Sequence, residues 1–275
     1  MSISAADVNK LRQMTGAGMM DCKKALEESN GDFDGAVDFL RKKGTKIAAN
    51  RADRDAKEGA IIAKVSPDYK TGVIVQLSCE TDFVAKNEDF IAFTHKLADI
   101  ALSNKAKDAD ALRALPMDGL TVGDKITEQV GKIGEKIDVV RYEILDGQNI
   151  VPYIHAGNRL SVLVELNQAH NEANALAGRD VAMQIAALNP IAIDKDAVDP
   201  TVIEREIAIG MDQARAEGKP EAMLEKIAQG KLVKFYKDST LLNQEFVKDS
   251  SKSIAQMLDG VSKGLSVKTF KRVSL

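Results

Sequence analysis

Apolar positions along this chain change their spacing several times, and each change marks an element. From Ala60 to Val65 and from Gly72 to Cys79 they form short runs rich in Val and Ile, separated by a turn containing Pro67-Asp68. These read as two strands. Helical spacing follows from Asn87 to Leu102, with Phe90, Thr94, Leu97 and Ala101 on one face. The same order then recurs. Ile150 to His155 and Arg159 to Leu166 read as strands joined through Gly157-Asn158, and a helix follows with Val181, Ile185 and Leu188 on one face. Between the copies, Val122, Ile126, Val130 and Ile133 mark another helix, and Val139 to Leu145 a strand ended by Asp146-Gly147. The economical reading is an α+β fold with duplicated subdomains and antiparallel sheets.

Residues 4–44 carry a different rhythm, that of three short helices. Ser4 and Asp7 make an N-terminal cap, and Val8 and Leu11 begin an apolar face. Gly16 and Gly18 end this helix and permit a tight reversal. A second helix holds Ala25 and Leu26 and stops at Asn30-Gly31; a third presents Phe33, Val37 and Leu40 before Gly44. Residues 41–57 are basic but interrupted by Asp53, Asp55 and alanines, which favours a helix end and solvated linker over a nucleic-acid patch. In residues 199–237, Asp199 caps a helix with Pro200 at its first position. Ile203, Ile207, Met211 and Ala214 form a narrow stripe, Glu217-Gly218-Lys219-Pro220 breaks it, and Leu224, Ile227 and Ala228 begin a second stripe that continues near Phe235. Two helices with a short break predict an antiparallel hairpin. Ser251 to Leu258 reads as a helix and Leu265 to Val273 as a strand. The division this suggests is residues 1–54, 55–140 and 141–275, with the hairpin inserted in the last.

Composition narrows the function. A hydrophobic content of 44%, a charged content of 29% and a net charge of −3 describe a soluble globular chain with no global field toward nucleic acid or anionic lipid. Trp is absent and aromatics make up 4%, which disfavours stacking platforms for single strands. No signal peptide and no membrane-spanning run is expected. Cys22 and Cys79 lack zinc or redox spacing, and His95, His155 and His170 are scattered, so no metal site is expected. These features fit a reducing cytoplasm.

Chemistry-bearing motifs are missing as well. There is no Gly-x-Ser-x-Gly elbow, no phosphate loop ending in Gly-Lys-Ser/Thr and no His-Glu-x-x-His. Two features suit binding instead. Phe83 lies in the polar connection Glu80-Thr81-Asp82-Phe83-Val84-Ala85-Lys86-Asn87 between strand and helix, where it either plugs the core or serves a partner. Met19-Met20 follows a glycine turn, and adaptable methionines suit a partner surface unless one of them is core.

The run from Val8 through Gly16-Ala17-Gly18-Met19-Met20-Asp21-Cys22-Lys23-Lys24-Ala25-Leu26 resembles the opening of the bacterial elongation factor Ts family. Thr81-Asp82-Phe83-Val84-Ala85-Lys86-Asn87 and Tyr153-Ile154-His155 resemble it too, in matching order and spacing. The resemblance spans nearly the whole chain and weakens at the C-terminus, where some members carry a Gly-Glu-Gly segment and a last helix. It implies a ubiquitin-associated-like three-helix module, the duplicated core and a protruding helical hairpin. It further implies a guanine-nucleotide exchange factor for elongation factor Tu, with no covalent chemistry and no cofactor. Thr81, Asp82, Phe83 and Val84 would then dislocate the partner's Mg²⁺. Arg12, Met19 and Met20 would dock the partner's GTPase domain, and His155 its distal β domain. The competing expectation is a passive adaptor that tethers proteins without exchange. Direct nucleic-acid and membrane contacts are not expected, and self-association through the hairpin is left open.

Overall fold

Helices α1 (Ala5–Thr15), α2 (Met19–Glu28) and α3 (Phe33–Asn50) open the chain. The structure is a computed structural model that describes residues 3–275. Ser4 and Asp7 form a reciprocal capping box, each side chain accepting from the other residue's backbone N–H. Gly16 closes α1 at φ +68, in the left-handed region where a Cβ is penalised. Gly18 instead sits extended as the N-cap of α2, so only one of the two glycines uses that freedom. Leu11, Cys22, Ala25, Leu26 and Ala36 are fully buried and form the core of this module.

Strands β1 (Glu58–Val65) and β2 (Thr71–Cys79) pair as an antiparallel hairpin, followed by the single turn α4 (Asp82–Ala85) and the longer α5 (Glu88–Asn104). Helix α6 (Ala109–Ala114) and the short strands β3 (Pro116–Met117) and β4 (Leu120–Thr121) lead into α7 (Val122–Ile133). Strand β5 (Asp138–Asp146) then returns to pair with β2, carrying the first sheet across the boundary set between residues 140 and 141. The second copy begins with β6 (Ile150–Ile154), β7 (Leu160–Leu166) and α8 (Glu172–Leu188). Helices α9 (Pro200–Ala216) and α10 (Glu221–Ser239) are inserted next. Strands β8 (Glu245–Phe246) and β9 (Asp249–Ser253), helix α11 (Ile254–Val261) and strand β10 (Val267–Ser274) complete the chain.

The duplication extends further than hairpin and helix. Both three-stranded sheets are antiparallel, ordered β1-β2-β5 and β6-β7-β10, so each copy ends with a strand that pairs with its second one. The two sheets lie face to face. Ala60 and Ile62 of β1 point toward Phe90, Leu97 and Ala101 of α5, while Ile61 and Ala63 point the other way, toward Ile150 and Leu163 of the second sheet. Alternate residues thus serve different cores, because successive side chains leave a strand on opposite faces. Val162, Val164 and Leu166 of β7 pack with Val181 and Ile185 of α8 in the same way. Helix, sheet, sheet and helix form four layers. Each fully buried Ile or Leu between the sheets contributes about 1.5–3 kcal/mol.

Three expectations change in the structure. Helix α3 does not stop at Gly44 but continues to Asn50, so the basic stretch is helical over much of its length. Gly44 is buried, and a Cβ there would lie 2.9 Å from the Thr127 carbonyl oxygen of α7. Its role is close helix packing, not termination. Replacing it with valine is expected to force α3 from α7 and to cost about 1–3 kcal/mol by overpacking. A urea melt unchanged from wild type would show that the contact is dispensable. Leu188 does not share the buried face of Val181 and Ile185; it is 47% exposed at the end of α8. The helix predicted from Ser251 begins instead at Ile254, because Ser253 caps it in a box with Gln256, while residues 249–253 pair with β8.

The inserted hairpin packs mainly on itself. Gly210 and Ala214 of α9 are buried against Leu224, Ala228 and Leu232 of α10, with Ile203, Ile207 and Met211 half-buried beside them. Asp199 caps α9 through the backbone N–H of Thr201, and Pro200 occupies the first turn. Among the described residues no helix is long and apolar enough to cross a membrane.

Candidate functional site

The end of β2 delivers the chain into α4, whose single turn carries Phe83. Thr81 is its N-cap: the hydroxyl oxygen accepts from the Val84 N–H at 3.4 Å. Asp82 pairs with Lys86 one turn on at 2.6 Å. The hydrogen bond and charge of Lys86 hold the Asp82 carboxyl below its ordinary value. Val84 is half-buried and Ala85 buried, so the turn's inner side is anchored to the core. Its outer side presents Phe83, 84% exposed and the most exposed large apolar side chain described. Phe83 is therefore not a core plug. An aromatic ring that exposed keeps its apolar surface available to a partner.

The footing of this turn is polar and comes from distant parts of the sequence. The Glu135 carboxylate, just beyond α7, accepts from the Glu80 N–H at 3.0 Å, the Thr81 N–H at 3.1 Å and the Thr81 hydroxyl at 2.6 Å. Glu80 in return accepts from the Lys136 N–H at 2.6 Å and from Arg51, at the end of α3, at 2.7 and 2.8 Å. The Lys136 hydrogen bond leads the effects that keep the Glu80 carboxyl below its usual range. Beneath the turn, burial pushes the Cys79 thiol up to about 12, and its Sγ lies 3.2 Å from the Thr81 carbonyl oxygen. Such a thiol is inert at neutral pH.

The second hairpin reaches the same end of the molecule. The Ile61 N–H donates to the Asn158 carbonyl at 2.7 Å, and Arg159 forms an ion pair with Glu58. Arg159, Glu58, Glu80, Asp82 and Phe83 line one open recess. His155 lies just past β6 in this hairpin, exposed, with its Nδ1 3.0 Å from the Tyr153 hydroxyl. Arg12, Met19 and Met20 belong to the separate three-helix module, and all three are exposed. Neither methionine is core: they are 59% and 74% exposed and line a shallow depression with Ile3 and Val8. Met14, which the sequence pattern did not single out, is 57% exposed in the same module.

The family described as Elongation factor TS matches residues 80–275. Elongation factor Ts of Cytophaga hutchinsonii is 57% identical over 275 residues, covering 100% of this chain and 99% of the relative. That of Amoebophilus asiaticus is 57% identical over 273 residues, 99% of each chain, and that of Christiangramia forsetii 52% identical over 273 residues, 99% and 98%. The chain belongs to the elongation factor Ts family. It is accordingly a translation elongation factor of protein biosynthesis.

Neither Glu135 nor Arg51 stands out in the sequence as part of a site, and Glu80 does so only as a member of the connection around Phe83. Their bonds join residues 29 to 56 positions apart. A lone carboxylate after a helix-ending glycine carries no periodicity that would reveal such a contact. Cys22 and Cys79 are both buried and unbridged.

Proposed function

We propose that this chain is the guanine-nucleotide exchange factor for elongation factor Tu and performs no covalent chemistry. The exposure of Phe83 on an anchored turn is the observation that carries this reading. Phe83 acts as a wedge between partner side chains near the Mg²⁺ site, and Thr81, Asp82 and Val84 hold or flank it as the metal and phosphate environment is rearranged. The Mg²⁺ belongs to the partner. Its loss removes a cation that bridges the nucleotide phosphates and the GTPase, so GDP leaves faster. Residues 1–54 dock the GTPase domain through Arg12, Met19 and Met20. The second copy, through His155, reaches the partner's distal β domain.

Docking and wedging divide the energetics. Met19→Ala with Met20→Ala removes exposed apolar contact without touching the Phe83 turn. The half-saturating concentration for exchange is expected to rise about tenfold, corresponding to ~1.4 kcal/mol, while the saturated GDP release rate stays within about twofold. If saturation fails to restore the rate, these methionines do more than dock.

Linkage gives an independent test of the reading. A factor that weakens nucleotide binding must itself be weakened by nucleotide to the same degree. The chain should bind nucleotide-free elongation factor Tu more tightly than the GDP-Mg²⁺ form. The ratio of these two affinities should equal the fall in GDP affinity that the chain causes. Equal affinity for both forms, measured by calorimetry, refutes exchange and favours the adaptor.

A further inference from the structure

Phe83 is exposed, and an exposed side chain on a single helical turn has little to fix its bearing. What fixes it lies underneath. Segments 80–81 and 135–136 hold each other by side-chain-to-backbone bonds in both directions: Glu135 accepts from the Glu80 and Thr81 N–H groups, and Glu80 accepts from the Lys136 N–H. Arg51 joins from α3, and the Lys136 ammonium reaches the Ala52 and Arg54 carbonyls at 2.6 and 3.0 Å. Glu135 has a special place in this clasp. Its second oxygen accepts the Thr81 hydroxyl proton at 2.6 Å, which leaves the Thr81 oxygen facing the Val84 N–H that it caps. The carboxylate therefore fixes the rotamer of the residue that starts α4, and α4 carries Phe83.

We infer that Glu135 is a positioning residue for exchange: through Thr81 it holds the Phe83 turn in the orientation that enters the GTPase partner. This rests on the exchange reading given above. Pre-organisation is the physical reason. A wedge that must first be ordered spends part of its interaction on ordering, and small misplacements of a working group are costly in rate. Glu135 contacts the turn and not the wedge itself, so its loss should affect the saturated rate and leave docking by the three-helix module intact.

Glu135→Ala removes all three bonds. Glu135→Gln retains an oxygen for the two backbone N–H groups and turns an amide N–H toward the Thr81 hydroxyl oxygen, to which it donates in place of accepting, so that it serves as the conservative rescue. Two readouts separate positioning from mere stability. The first is GDP release from the partner at saturation: about tenfold slower for Glu135→Ala, within about twofold of wild type for Glu135→Gln, with half-saturation little changed in both. The second needs no partner. The chain contains no Trp, so Phe83→Trp introduces a single indole whose time-resolved anisotropy reports the turn's nanosecond motion. Adding Glu135→Ala is expected to increase that motion about twofold, and adding Glu135→Gln is not. Unchanged indole motion overturns the inference, as does a looser turn with an unchanged saturated rate. A circular dichroism melt run alongside checks folding, and a Glu135→Gln protein as slow as Glu135→Ala while keeping the turn rigid also counts against it. Failure of the wild-type chain to accelerate GDP release refutes the exchange reading itself, a result distinct from a clasp that proves loose.

Discussion

Phe83→Ala is expected to remove most of the acceleration of GDP release while the protein melts within about 2 °C of wild type. The thermal expectation follows from exposure. An 84% exposed ring contributes little to the core, surface substitutions stay within about 0.5 kcal/mol, and in a chain of this size that shifts the midpoint by ~2 °C or less. The kinetic expectation follows from the place of the interaction. Removing a contact made only as nucleotide leaves lowers the saturated rate without changing docking, and losing ~1.4–2.7 kcal/mol there slows release roughly 10- to 100-fold. Normal exchange together with a large thermal loss would mean that the ring supports the core after all.

Phe90→Ala should do the reverse. Phe90 is 3% exposed and packs among Leu97, Ala101 and the β1-β2 face of the first core. Removing a buried ring leaves a cavity that its neighbours fill only in part, and the cost is about 3–5 kcal/mol. A urea melt should show that loss in the major transition. Below the transition, the fraction still folded should exchange nucleotide at close to the wild-type saturated rate, because Thr81 and its Glu135 footing lie outside the cavity. A loss below about 1 kcal/mol would contradict the packing described. The pair of substitutions separates two phenylalanines on either side of one helix start.

These residues also show what the sequence makes legible. Phe90, Thr94, Leu97 and Ala101 recur at helical spacing, and all four are buried in the first core or along α5. The repeated strand-hairpin-strand-helix order is visible because alternate strand positions face different cores and must all be apolar. Gly44 was ambiguous for a physical reason: the missing Cβ serves equally to end a helix or to let another helix approach. Only the neighbouring Thr127 carbonyl decides between them. The sequence leaves the start of α11 open because Ser251 and Ser253 are both competent caps, and the box with Gln256 selects the second. Whether Phe83 filled the core or faced solvent could not be read from its neighbours, since a polar connection accommodates either. The clasp around Glu135 left no trace, because bonds between segments over fifty residues apart impose no local pattern.

Stopped-flow release of a fluorescent GDP from elongation factor Tu, chased with excess unlabelled nucleotide, bears most directly on the exchange reading. With increasing concentrations of this chain, the release rate should rise hyperbolically to a plateau well above the intrinsic rate, and Phe83→Ala should lower that plateau without shifting the half-saturating concentration. Binding that saturates while the release rate stays at its intrinsic value would contradict exchange and leave a passive adaptor.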